Sequence, residues 1–252
     1  MVRESFPRNP VNVGLHVIGE NCNSFNFSKE ELNEIQQSLL QIAEEQIVRK
    51  KLINLYPLDL FEIAKNKINF EENVLFDNIS ELYQAKWIVP GEGLLKSKVL
   101  DTLKHRQIFE YVKKNPGCNT FDIMLDLGIS FRYALKNLET LFKFSFIRVR
   151  KYSQYFLYFP YYIQEEEDLI YYLTRNARTR KILEFLLKRR LPCAVSEIAH
   201  ALNAQESTVQ RKLGKLVKAE IVSLVQSRRK LKYKINKLDK KVFESILNRY
   251  RK

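Results

Sequence analysis

The residues with chemistry to offer are concentrated between Val195 and Val222, in the run VSEIAHALNAQESTVQRKLGKLVKAEIV. Ser207, Thr208, Gln210, Arg211, Lys212 and Lys215 all carry hydrogen-bond donors. At helical spacing they oppose the stripe Val209, Leu213, Leu216 and Val217. A helix with an apolar back and a front of Gln, Arg and Lys holds groups of the size and type that bond base edges in a major groove. The chemistry indicated is recognition of a polyanion, not bond making or breaking.

Such a helix must be held by neighbours, and the flanking residues supply them. Ser196 to Leu202 is a shorter helical pattern, with Ile198 and Leu202 on one face and Ala199 small enough for close packing. Asn203-Ala204 breaks it, Asn being tolerant of left-handed backbone angles. Ile221 to Val225 and Leu231 to Ile235, which includes Lys232, read as two strands joined by the basic tip Ser227-Arg228-Arg229-Lys230. Two helices, a tight turn and a two-stranded wing make the helix-turn-helix plan. The alternative reading, a small helical domain that binds protein, is opposed by the basic front and the basic tip.

The charge distribution points the same way. The net charge is +14, but residues 170–252 alone carry 22 Lys and Arg against 6 Asp and Glu, a net +16. Residues 96–160 carry +7, residues 1–95 carry −5 and residues 161–169 carry −4. Charge kept for solubility would be spread evenly, whereas a dense positive third is what a polyanion partner requires.

Several other functions find no residues to carry them. Cys22, Cys118 and Cys193 are scattered, which suits a reducing compartment and no disulfide framework. His16, His105 and His200 have no metal-ligand spacing, and no Gly-rich phosphate loop or nucleophile with a base is present. No apolar run approaches a membrane span and the start has no signal-peptide pattern, so the expectation is a cytoplasmic, non-enzymatic protein with no cofactor and no metal.

Along the chain, Val11 to Ile18 reads as a strand, and Ser28 with Glu31 as a capping box opening a helix to about Leu55, stopped at Tyr56-Pro57. Two more helical patterns and a strand at Trp87-Ile88-Val89 follow, with an acidic third helix. Residues 1–95 therefore read as either a degenerate winged helix or a dimerisation region. Residues 96–160 repeat the plan: a helix from Thr102 to Lys114 with Leu103, Ile108, Phe109 and Val112 inward, a second carrying Phe121, Ile123, Met124 and Leu127, and a third capped by Ser130 with Leu135, Leu138, Leu141 and Phe142 inward. A strand pair from Phe146 to Phe159 closes it. Its outward candidates are Arg132, Lys136 and Asn137 on the third helix and Arg150 and Lys151 on the wing. Ile123 and Ile198, Leu127 and Leu202, Leu138 and Leu213, and Leu141 and Leu216 differ by a constant 75 positions, the mark of a repeat. Residues 161–175 form an acidic, tyrosine-rich connector, read as a domain or dimer interface, and residues 176–252 form the basic unit with a closing helix from Val242 to Tyr250.

The fold expected is mainly α with small β-wings (α+β), two winged helix-turn-helix domains in tandem. The stretches HRQIFEYVKKNPGCNTFDIMLDLGIS, YFLYFP, RNARTRKILEFLLKR and SEIAHALNAQESTVQRKLGKLVKAEIV resemble the archaeal tandem winged helix-turn-helix transcriptional regulators, related in shape to the ArsR and MarR families. The resemblance implies sequence-specific binding of double-stranded DNA, usually as a dimer. It would place Ser207, Thr208, Gln210, Arg211 and Lys215 in a recognition helix and Arg228 and Arg229 in its wing. Ser130-Phe131-Arg132-Tyr133 is more aromatic than the family's usual polar start to that helix, and the cysteines and histidines of metal-sensing ArsR members are absent. Tandem winged helices also serve as protein-binding scaffolds in larger complexes, and that is the rival reading.

Overall fold

A computed structural model describes residues 32–189, 191–227, 230–236 and 240–249, and the expected strand at Val11–Ile18, the Ser28–Glu31 capping box and the wing tip Arg228-Arg229 lie outside them. The first three helices form a small bundle: α1 (Glu34–Glu44), α2 (Pro57–Lys65) and α3 (Glu72–Gln84). α1 is opened by Asn33, whose side chain accepts from the Gln36 backbone while Gln36 reaches back to the Asn33 N–H. The helix expected to reach Leu55 instead loosens into a π turn at Glu45–Arg49 and stops at Lys51, which has φ 53°. Pro57 then starts α2 at its first helical position, where its missing N–H costs nothing. Leu39, Leu60, Leu75 and Ile79 interlock at the centre, each with no exposed surface. Burial of this kind contributes about 1.5–3 kcal/mol per side chain. The strand expected at Trp87–Val89 is reduced to one bridge between Ile88 and Leu95.

A short helix, α4 (Lys96–Val99), leads into α5 (Leu103–Lys114), α6 (Thr120–Leu127), α7 (Phe131–Lys143) and the antiparallel hairpin β1 (Ile147–Tyr152) and β2 (Tyr155–Pro160). Ile108, Val112, Ile123, Ala134, Leu138 and Leu141 are buried against one another in this unit. Two expected inward positions are not inward. Leu103 and Leu135 are exposed, and Ala134 occupies the place assigned to Leu135; Phe121 on the second helix is exposed as well. α8 (Asp168–Thr174) follows a 3-10 turn at Glu165–Glu167. Then α9 (Ala177–Lys188), α10 (Val195–Ala201), α11 (Glu206–Lys218), β3 (Val222–Ser227) and β4 (Lys230–Ile235) run in the same order as α5 to β2. α12 (Lys240–Arg249) closes the chain, burying Phe243, Ile246 and Leu247 and packing on α8 and α9.

Several backbone features also recur at a separation of 75 residues. Cys118 bridges Tyr158, and Cys193 bridges Tyr233, adding a third short segment to each hairpin. Gly128 and Asn203 both take positive φ, 62° and 46°, at the turn between the paired helices. Ser145 and Glu220 both have φ 57° where the last helix gives way to the hairpin.

α8 ties these elements together. Asp168, fully buried at its N-terminus, receives two bonds from Arg148 of β1, at 2.6 and 2.5 Å. Arg148 also donates to the Ile163 carbonyl and lies over the Phe159 ring at 5.2 Å. At the other end Arg175 donates to the Gly117 carbonyl at 2.9 Å and to the Asp122 carboxylate at 2.6 Å. Gly117 has φ +78°, and a Cβ there would sit 3.1 Å from the Tyr172 Cα, so only glycine allows the turn to meet α8. Of the connector tyrosines, Tyr171 is buried, Tyr172 packs at a tilt against Tyr152 of β1 with ring centroids 5.1 Å apart, and Tyr162 is exposed.

Candidate nucleic-acid interface

α11 is held from behind by Val209, Leu213 and Leu216, which are almost wholly buried against α10 and the β3–β4 hairpin. With that side fixed, Ser207, Gln210, Arg211 and Lys215 are exposed, and Thr208 and Lys212 are half-buried at the flank. Lys218 extends the exposed row by one more turn. All six residues expected on this helix thus lie on its solvent side or flank, with Thr208 and Lys212 bordering a cleft toward α9.

Lys212 faces a cleft of about 490 Å³ that the sequence did not reveal. Arg178 and Lys181 of α9 line it together with Asn203, Gln205 and Thr208. Burial lowers the Lys212 pKa, and the nearby Lys215, Arg211 and Arg178 lower it further. Among the described residues no carboxylate forms an ion pair with Arg178, Lys181, Arg211, Lys212 or Lys215. Cations gathered without a counter-charge raise one another's energy, and an anion entering the cleft relieves that cost. Arg178 and Lys181 belong to RNARTRK, a run that is basic in sequence. Their meeting with Lys212 depends on how α9 crosses α11, which helical spacing does not encode.

The wing is present as β3 and β4, paired from Val222–Ile235 to Ser227–Lys230. Lys230 is the first residue of β4 and Lys232 is half-buried within it; Lys234 is exposed on the same strand. Arg228 and Arg229 lie outside the described residues.

The corresponding candidates of the earlier unit divide into exposed and inward-facing residues. Arg132, Lys136 and Lys151 are exposed. Asn137 is buried and donates from Nδ2 to the Tyr133 carbonyl at 2.7 Å, so it faces its own helix and does not project outward. Arg150 is spent inside the chain, donating to the Glu165 carbonyl at 2.8 Å and lying 3.5 Å from Asp168. The acidic connector draws it inward, a contact that strand alternation alone does not predict. Among the described residues no group of three His, Cys, Asp or Glu side chains could hold a metal ion, and no helix is long and apolar enough to cross a membrane.

Comparison with known proteins agrees with this geometry. Residues 178–223, which span α9, α10, α11 and the start of β3, match the family described as bacterial regulatory protein, arsR family. Over 196 residues the chain is 29% identical to an uncharacterized HTH-type transcriptional regulator of the archaeon Methanocaldococcus jannaschii, covering 74% of this chain and 49% of the relative. The chain therefore spans about half the length of the curated relative it matches. Family match, relative and observed elements together support a winged helix-turn-helix protein of the regulator type, mainly α with small antiparallel hairpins.

Proposed function

We propose that this chain is a transcriptional regulator that binds double-stranded DNA in a sequence-specific manner through α11. The observation that carries the proposal is the cationic surface, without an ion pair among the described residues, formed by Arg211, Lys215 and Lys218 on α11 and by Arg178, Lys181 and Lys212 beside it. Gln210 and Arg211 project where a helix set in a major groove meets base edges, Arg bidentate to guanine and Gln to adenine. The cleft between α9 and α11 receives a backbone phosphate, which fixes register without reading sequence. The hairpin that carries Lys232 would run beside that groove, and Arg228, Arg229 and Lys230, basic in sequence, would supply further phosphate contacts. α5 to β2 and α9 to β4 are two copies of one plan, of which only the second is equipped to read DNA. Two chains acting together would address paired half-sites, as a two-fold protein does on a palindromic duplex.

The test is selection of duplexes from sheared genomic DNA at moderate salt, followed by equilibrium binding to the recovered sequence. A reproducible short sequence, bound at least about a thousand times more tightly than random duplex, supports the reading. Weak binding to every duplex, erased by a few hundred millimolar salt, would mean that the basic surface serves another polyanion.

A further inference from the structure

The 75-residue correspondence places the two units' outer faces side by side, and their surface chemistry is opposite. Where α10 and α11 present Ser196, His200, Glu206 and Gln210, α6 and α7 present Phe121, Leu125, Phe131 and Leu135. All eight residues are exposed, so the difference is not one of core against surface. Phe121 is 56% exposed, Leu125 72%, Phe131 41% and Leu135 39%. Phe121 and Leu125 are one helical turn apart on α6, as Phe131 and Leu135 are on α7. The Phe121 and Phe131 rings lie 5.3 Å apart and join the two pairs into one patch. From the usual area of a large side chain, the patch offers roughly 400 Å² of apolar surface, the size at which exposed patches on soluble proteins mark contacts.

We propose that this face is where two copies of the chain meet, each presenting α6 and α7 to the same surface of the other. The area fits a second copy. Two such patches remove roughly 800 Å² of apolar surface, and at the usual apolar fraction of an interface the whole contact is about 1,300 Å², within the range of specific dimers. The rim fits too. Arg132, Lys136, Asp126 and Glu139 are all exposed, Glu139 also pairing with Lys143 at 3.0 Å and Asp126 accepting from the Tyr111 hydroxyl at 2.6 Å, so the rim carries both signs and like charges need not face each other across a two-fold axis. The basic face of α11 has no such balance and could not self-associate in this way. The contact uses none of the residues that the proposed function assigns to DNA, and it is measured without DNA, so either proposal can fail while the other stands.

Sedimentation of the full chain at micromolar concentration should give twice the 30.0 kDa chain mass. Leu125→Asp and Phe121→Ser, both surface changes that leave the helical content and melting temperature near the parent's, should each weaken association by about tenfold or more. Leu125→Cys in a Cys22→Ser background should form a linked dimer on mild oxidation, Cys118 and Cys193 being buried. A parent that sediments as a monomer overturns the proposal. So does a dimer indifferent to both substitutions, which would put the contact elsewhere, and so does a growing polymer, which would mean a head-to-tail contact with a different surface.

Discussion

At the scale of single residues, the proposed interface separates groups that read from groups that hold. Arg211 stands free on the outer side of α11, whereas Arg178 and Lys181 line the cleft at its flank. Replacing Arg211 by Gln should lower the preference for the selected sequence over random duplex by about 1–3 kcal/mol, read by anisotropy titration against both. Replacing Arg178 or Lys181 by Gln should weaken both duplexes alike and reduce the slope of log K on log salt by about one unit for each. A buried cation elsewhere gives a pH test. Lys96 is 4% exposed, and burial, helped by Lys86, pulls its pKa down to about 7. Between pH 7 and its ordinary value of 10.5 the unfolded chain holds this proton and the folded chain does not. Stability should therefore rise as pH goes from 7 to 9, and in Lys96→Met that part of the rise should vanish from the melting curve.

At the scale of elements, the decisive piece is α8, and its central ion pair is a strong target. Asp168 is fully enclosed, and burial raises its pKa despite the opposing pull of Arg148 and Arg150. Arg148→Met leaves that carboxylate without its two strongest donors and should cost about 3–5 kcal/mol in denaturant unfolding, while Arg148→Met with Asp168→Leu should recover most of the loss. Neither Arg148 nor Asp168 could have been paired from the sequence, where one reads as a strand residue and the other as a favourable charge at a helix start. What was legible is what depends on local spacing: α9 to α11, the hairpins, and the turn at Asn203 follow from apolar periodicity and turn chemistry. The 75-residue offset extends from leucines to the backbone angles at Gly128 and Asn203 because one packing plan imposes both. What was not legible depends on crossings between elements. Leu135 fits an inward stripe as well as Ala134 does, and only the approach of α5 to α7 decides that the smaller residue goes inside. Arg150 looks like any wing cation until the Glu165 carbonyl and Asp168 appear beside it.

At the scale of the whole molecule, the densest positive charge and the exposed Phe121–Phe131 patch lie on different parts of the chain. Residues 170–252 carry net +16, while the exposed aromatic patch lies on α6 and α7 among charges of both signs. Taken together, the two proposals would make a duplex-binding molecule whose valence depends on its association. That dependence can be read from salt. A chain that neutralises about five phosphates should bind with a log K against log salt slope near −4.5, and two chains on paired half-sites with a slope near −9. The parent should show the steeper slope at concentrations where it sediments as a dimer. Leu125→Asp changes no residue of the proposed DNA surface, yet it should fall to about half that slope and lose affinity for a paired site far more than for a single half-site. An unchanged slope in a variant proved monomeric by sedimentation would separate self-association from DNA binding, and each chain would then address its half-site alone.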